Sequence, residues 1–269
     1  METIDSIDYN KYRNCRIMFT SIKGFVIEGY DENNNKVLLK TFIDKNKNCA
    51  YFFYDPVKNI VIPKEYYFLS ELQNLGCVPR LIDYCDGANT STIVMEFLFG
   101  EWSDLFDFSY KHHSDVFYKV IMKNVIKVLH VLSDSGYYHL DIKPENIMVN
   151  HNTLEIKLID FEDMFYSESN DPFCVAPETG TVGFKSPESF LNEIYWVKPG
   201  LVFSLGCLLY FMIQKKHAFN SDIDTEICKL LITKSLSIEA QLFILNCTNF
   251  WPRKRTDFHD LLCNKWFNF

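Results

Sequence analysis

Residues 138–150 read YHLDIKPENIMVN, and residues 158–163 read LIDFED. Asp141, Lys143 and Asn146 stand in the first stretch and Asp160 in the second. Around them lie residues that belong in a core: Tyr138, Leu140, Ile142, Ile147, Met148, Leu158 and Ile159. The pattern predicts two short buried strands joined by a rigid turn. A carboxylate beside a buried strand is costly unless hydrogen bonds, a cation or a metal ion satisfies it. The stretch is therefore either a phosphate-transfer site with a metal, or a turn whose acidic residues only cap the strands.

The rest of the chain narrows the choice. With 269 residues, 48% of them hydrophobic, it can bury a sizeable core in one large domain or two lobes. A net charge of −8 argues against nucleic acid and anionic membranes and is permissive for basic substrates. The nine cysteines are odd in number, scattered and free of any Cys-x-x-Cys spacing, which predicts buried thiols in a reducing compartment. The start METIDSIDYNKYR does not read as a signal peptide, and the longest apolar run, 201–213, is short for a bilayer span. The expectation is an intracellular, cytoplasmic monomer with no membrane or nucleic-acid partner.

Residues 16–19, 24–30 and 37–43 read as strands, the last two separated by the turn-forming DENNN. From Pro63 a helical period takes over, with Tyr66, Leu69, Leu72 and Leu75 on one face, and strands at 80–84 and 92–97 follow. After Gly100 the chain turns helical. Val116, Val120, Ile121, Val125, Val128, Leu129 and Leu132 mark one long helix stopping at Ser135-Gly136. Beyond an irregular stretch at 163–188, helices are predicted at 199–214, 223–232, 237–247 and 256–263. This is an α+β pattern: a small β-rich lobe over 1–97, a larger helical lobe over 98–269, and a cleft between them.

With these elements in place, the chain resembles the eukaryotic protein kinases over almost its whole length. HLDIKPEN and DFE are similar to the catalytic loop and metal-binding motif of that family. VLLK at 37–40 corresponds to the strand that carries its lysine, and Glu65 in IPKEYYFLSEL to the glutamate that braces it. GTVGFKSPES at 180–189 resembles the substrate loop, VFSLGCLLYFM the central buried helix, and Arg255 the arginine that pairs with the loop's closing glutamate, here Glu188. Within the family the chain looks most like the PIM serine/threonine kinases, on IPKEYYFLSEL, PRLIDY, DLFDF at 104–108, and Leu201 where most kinases have aspartate.

The resemblance implies a bilobal kinase fold and transfer of the γ-phosphoryl group of Mg-ATP to serine or threonine of protein substrates. Phosphoryl transfer asks a protein mainly for alignment and charge neutralisation. Asp160 and Asn146 would supply the hard oxygen donors that magnesium prefers. Asp141 would accept the substrate hydroxyl's proton, and Lys143 would reach the transferred group. Lys40, braced by Glu65, would hold phosphates. Gly24, Val26, Leu38, Met95, Met148, the Glu96 carbonyl and the Leu98 amide would bind ATP, with Asp104 on the ribose or on a substrate arginine. Thr181 belongs to the substrate loop. His139 reads as packing, in a buried spine with Leu69, Leu81 and Phe161. Asp104 and Asp107 read equally well as helix caps. Arg253-Lys254-Arg255 is one structural arginine with two solvated charges, or else a short nuclear signal.

Departures from the family pattern are confined to a few positions. Phe19 and Ser21 stand where glycines would let backbone N–H groups approach phosphates. Leu38 replaces an alanine, Leu140 the arginine that reads a loop phosphate, and Glu162 the glycine after Asp-Phe. None removes a metal ligand or the base. Three readings stand: a constitutively active serine/threonine kinase, a pseudokinase serving as a nucleotide-binding or scaffold module, and a small-molecule phosphotransferase of the aminoglycoside-kinase type. Lys143, GTVGFKSPE and Arg255 speak against the third. Asp104, Asp107 and Glu145 suggest substrates with basic residues N-terminal to the target. The chain's brevity and its Asn, Lys, Ile, Phe and Tyr content fit an AT-rich or viral genome.

Overall fold

The computed structural model describes residues 4–8, 10–43, 51–55, 59–111, 114–169, 172–175, 180–190, 194–219 and 237–268. They form two compact units: Met1–Gly100 with Ile159–Glu162, and Glu101–Leu158 with Asp163–Phe269.

The first unit holds β1 (Arg13–Ser21), β2 (Gly24–Tyr30), β3 (Lys36–Ile43), β4 (Phe52–Asp55), β5 (Ile60–Pro63), α1 (Lys64–Glu71), β6 (Leu81–Asp86) and β7 (Thr90–Glu96). Five of these strands make an antiparallel sheet in the order β1-β2-β3-β7-β6. The DENNN turn closes as expected, because the Asp31 carboxylate accepts from the backbone N–H groups of Asn33 and Asn35. In the ladder Val26 lies opposite Lys40, and Leu38 opposite Met95. Strand alternation therefore puts Val26, Leu38, Lys40 and Met95 on one face. Ile27, Val37, Leu39 and Val94 take the other face, where they bury against Ile4, Ile7 and Tyr12. Each fully buried aliphatic side chain there contributes about 1.5–3 kcal/mol, so the register that faces Lys40 away from this core is firmly set.

Two expectations need correction in this unit. The β4–β5 hairpin was not foreseen from the sequence. The helix that starts after Pro63 is also shorter than its hydrophobic period suggests. It ends at Glu71 with Leu72 as its cap, and Leu75 falls in a 3₁₀ turn. Gln73 breaks the helix by hydrogen-bonding the carbonyls of Leu69 and Pro79 and accepting from the Leu81 N–H, and Gly76 follows at φ 69°.

The second unit holds β8 (Trp102–Asp104), α2 (Leu105–Lys111), α3 (Asp115–Asp134), β9 (Tyr137–His139), β10 (Ile147–Asn150), β11 (Ile156–Leu158), β12 (Met164–Tyr166), β13 (Phe173–Val175), β14 (Ile194–Trp196), α4 (Val197–Gln214) and α5 (Ile238–Cys247). Ser114 caps α3 by accepting from the Phe117 N–H at 3.1 Å. The helix stops where expected, before Gly136 at φ 81°. A Cβ at that glycine would lie 2.7 Å from the Ser167 carbonyl oxygen. Where the sequence suggested two strands around the motifs, four short ones hold them. β9 pairs with β12, and β10 lies between β11 and β8.

α4 is apolar on all sides, as befits a helix covered all round. It is long and apolar enough to cross a membrane by length and composition, although 78% of it is buried within the protein. α5 packs on it. The helix predicted at 256–263 is not formed. Asp257 accepts from the His259 N–H through its side chain and from the Asp260 N–H through its carbonyl, so the chain runs in tight turns that end in a 3₁₀ turn at Leu261–Cys263. The helix predicted at 223–232 lies outside the described residues.

Candidate active site

The first unit carries an ion cluster. Lys40, near the middle of β3, pairs with Glu65 in the first turn of α1, and its Nζ lies 3.3 Å from Asp160 Oδ1 and 3.4 Å from Glu162 Oε1. Lys23, in the turn between β1 and β2, pairs with the other oxygen of Glu162, Oε2. Asp160 sits at φ 66°, a left-handed conformation uncommon for non-glycine residues, though more open to aspartate than to most. Glu65, Asp160 and Glu162 each offer a carboxylate oxygen, all within 4.8 Å of one another. Glu65 and Glu162 are each paired closely with a lysine, so Asp160 is the member of the group placed to offer magnesium a hard oxygen donor.

Burial alone would push the Lys40 ammonium down, but Glu65, Asp160 and Glu162 outweigh it and hold the group charged. Burial pushes the Glu65 carboxyl up to about 7, against the pull of Lys40 and with the help of the Asp160 and Glu162 charges. A carboxyl raised in this way stabilises the fold fully below its ordinary value of 4.5, and that contribution is lost as the pH rises to about 7. Glu65→Gln, which stays neutral throughout, should therefore gain melting temperature relative to wild type between pH 5 and pH 8. The expected gain is several degrees, at about 2–4 °C per kcal/mol for a chain of this size. Melting curves in a metal chelator test it, and a difference that does not change with pH would overturn it.

The second unit carries the loop that resembles a kinase catalytic loop. After β9, Pro144–Asn146 forms a 3₁₀ turn with proline at its first position, a start that proline's fixed φ favours. Asp141 is only 7% exposed and its carboxylate is fully engaged. Thr181 donates to Oδ1 at 2.7 Å, while Lys143 and Asn146 donate to Oδ2 at 2.7 and 3.1 Å. Lys143 also donates to the Thr181 hydroxyl at 2.9 Å, and Asn146 to the Asp141 carbonyl at 2.9 Å. The buried His139 ring accepts from the Asp141 N–H at 3.2 Å, so a residue read as packing also fixes the loop backbone. The Leu140 N–H is spent on the Asp163 carbonyl. Farther along the chain, Arg255 meets Glu188 through two parallel bonds of 2.6 and 2.7 Å.

The remaining candidates divide between the units. Val26, Leu38 and Met95 share the Lys40 face of the sheet, with Met95 buried and the other two half-buried. Glu96 ends β7 and donates its N–H to the Arg80 carbonyl; Leu98 follows, half-buried. Leu69 and Phe161 are buried and Leu81 half-buried. In the second unit Met148 lies opposite Asp104 in the ladder, and the Asp104 carboxylate accepts from the Asp107 N–H at 2.8 Å, so it does cap α2. A cavity of about 890 Å³ in this unit is lined by Gly136, Tyr166, Lys198, Arg253 and His259 among others, and by none of Asp141, Lys143 and Asn146. Gly24 has a steric role, since a Cβ there would fall 1.8 Å from the Thr41 carbonyl oxygen. Sequence reasoning missed the Lys23–Glu162 pair. Glu162 drew notice only as an absent glycine, and the signal available was a lone lysine in the turn that has lost its glycines.

Comparison with known proteins identifies a family. The family model of the protein kinase domain matches residues 23–267. Serine/threonine-protein kinase pim-2 of Danio rerio is 30% identical over 171 residues, 61% of this chain and 52% of the relative. The PAS domain-containing serine/threonine-protein kinase of Mus musculus is 26% identical over 96% of this chain and 18% of the relative. Serine/threonine-protein kinase 1 of African swine fever virus (strain Badajoz 1971 Vero-adapted) is 25% identical over 74% of this chain and 66% of the relative. The chain thus spans less than two thirds of the length of each. Since the matched span runs from the β1–β2 turn through the catalytic loop and past Arg255, the chain belongs to the protein kinase domain family.

Proposed function

We propose that this chain is a serine/threonine protein kinase that transfers the γ-phosphoryl group of Mg-ATP to protein substrates. The observation that carries the reading is the Asp141 carboxylate, buried and aimed by Thr181, Lys143 and Asn146. A carboxylate so fixed can take the proton of a serine or threonine hydroxyl as that oxygen becomes a nucleophile. Lys143, already at Asp141 and Thr181, balances charge on the transferred group. Asn146 spends its amide hydrogens on Asp141, which leaves its side-chain oxygen as a metal donor in the second unit, as the Asp160 carboxylate is in the first. Lys40 holds phosphate oxygens in the first unit, braced by Glu65. Val26, Leu38 and Met95 form the apolar wall for adenine, and the Glu96 carbonyl and Leu98 amide its polar edge. Bound Mg-ATP supplies the phosphoryl group and the cation that neutralises its charge.

The substrates are proteins, with a preference for arginine or lysine N-terminal to the target because of the acidic side chains Asp107 and Glu145. The test is incubation of the purified chain with labelled Mg-ATP and mixed serine/threonine peptides. Label on these peptides, enriched in basic ones, is expected. Nucleotide binding without transfer would favour the pseudokinase reading.

The activity is also proposed to be constitutive. Leu140 carries no charge to read a loop phosphate, and Glu162, Asp163 and Glu168 would repel one. Phosphatase treatment of the bacterially produced protein should leave the rate within about twofold; a tenfold loss would overturn this point.

A further inference from the structure

In the turn between β1 and β2 the backbone of Lys23 is already engaged. The Lys23 N–H donates to the Ser21 hydroxyl at 3.2 Å, and the Lys23 carbonyl accepts from the Ile43 N–H at 2.9 Å. The bare Cα of Gly24 is taken up by its approach to Thr41. Ile22, at the tip, is 98% exposed and apolar. What the turn does present is one ammonium group. Lys23 Nζ sits 4.1 Å from the centroid of the Tyr51 ring and pairs with Glu162 Oε2, while Lys40 Nζ lies against Oε1 of the same carboxylate. A two-oxygen anion is thus held between two lysines. A phosphoryl group presents the same bidentate face with more charge.

We propose that Lys23 is a nucleotide-phosphate ligand that stands in for the missing backbone cradle, and that Glu162 is its resident counter-ion, which yields Lys23 to the phosphates of a bound nucleoside triphosphate. The inference rests on the function proposed above. Lys23 is 37% exposed and Glu162 9%, so the cation is the partner with access to an incoming ligand. Burial would push the Lys23 ammonium down, and the Glu162 carboxylate outweighs this and keeps it charged. The cluster sets two lysines against Glu65, Asp160 and Glu162, so an arriving polyphosphate meets an excess of carboxylate. Glu162 then competes with the phosphates for both lysines. This gives the two partners effects of opposite sign, which a purely structural ion pair would not.

The experiment is calorimetric titration of the full chain with ATP and with adenosine, in magnesium, for wild type, Lys23→Met, Lys23→Arg and Glu162→Gln. Lys23→Met should weaken ATP about tenfold and leave adenosine within twofold. Lys23→Arg should stay near wild type, and Glu162→Gln should bind ATP at least threefold tighter. ATP affinity unchanged in Lys23→Met, or equal losses for ATP and adenosine, would overturn the proposal. So would Glu162→Gln weakening ATP, and that arm decides alone if Lys23→Met does not fold. Wild type that binds no ATP would overturn the proposed function and this inference with it. ATP binding with no sign difference between the variants would overturn this inference only.

Discussion

Asp141→Asn is expected to lower kcat for phosphoryl transfer by about 10²-fold or more, the usual effect of removing a positioned general base. The substitution is nearly isosteric. Its new NH2 can face the Thr181 hydroxyl, which can turn to accept, while the amide oxygen keeps the Lys143 and Asn146 bonds, so the fold should survive while the proton acceptor is lost. Thr181→Ala removes one of the aiming bonds and should cost less, about tenfold. Asp160→Asn should fall with Asp141→Asn, because an amide is a much poorer metal ligand than a carboxylate. Steady-state kinetics on one peptide, with ATP saturating, would check all three. Activity of Asp141→Asn or Asp160→Asn within threefold of wild type would refute the catalytic assignment.

Arg255→Ala is expected to be the most damaging change to stability, on the order of 3–5 kcal/mol, the loss found when one member of a buried ion pair is removed. The Arg255 side chain is fully buried and that of Glu188 6% exposed. Besides its two bonds to Glu188, the guanidinium donates to the carbonyls of Asn249, Pro199 and Phe250, so five donors meet five acceptors. Truncation would strand the Glu188 carboxylate and three carbonyls in a dry place. A fall in melting temperature of about 10 °C follows, or the loss of soluble protein. Arg255→Lys should rescue little, since one ammonium cannot copy a planar fork. The paired change Glu188→Met with Arg255→Met should recover part of the loss, because it leaves no lone buried charge although the three carbonyls stay unpaired. Melting of the three variants beside wild type tests this, and a drop below about 3 °C for Arg255→Ala would refute it.

The sequence was most legible where local pattern and chemistry agree. β2 appears with the expected ends because DENNN can only turn there, and α3 because an unbroken apolar stripe and Gly136 mark its face and stop. The pairs Lys40–Glu65 and Glu188–Arg255 were legible only through motif position. Nothing local in IPKEYYF says that a lysine 25 residues earlier lies beside its glutamate. Three features were not legible. Gln73 ends α1 by reaching carbonyls on both sides of a turn, against a continuing period of leucines. The tract at 256–263 has the apolar spacing of a helix, but Asp257 and Asp260 divert its backbone into tight turns. The Lys23–Glu162 pair spans 139 residues; Glu162 stood out in the sequence as a replaced glycine, and Lys23 did not stand out at all.

The Glu188–Arg255 pair also sets an order of events during synthesis. Its partners are 67 residues apart. At roughly 5–20 residues per second, Glu188 leaves the ribosome about 3–13 s ahead of its guanidinium. α4 emerges in that same interval, apolar on every side, and so does α5, which packs on it. Until α5 follows, the face of α4 that packs on it has no cover, and Glu188 has no arginine to pair with. A chaperone that binds apolar helices has its window there, and a slower codon run between α4 and Arg255 would widen it.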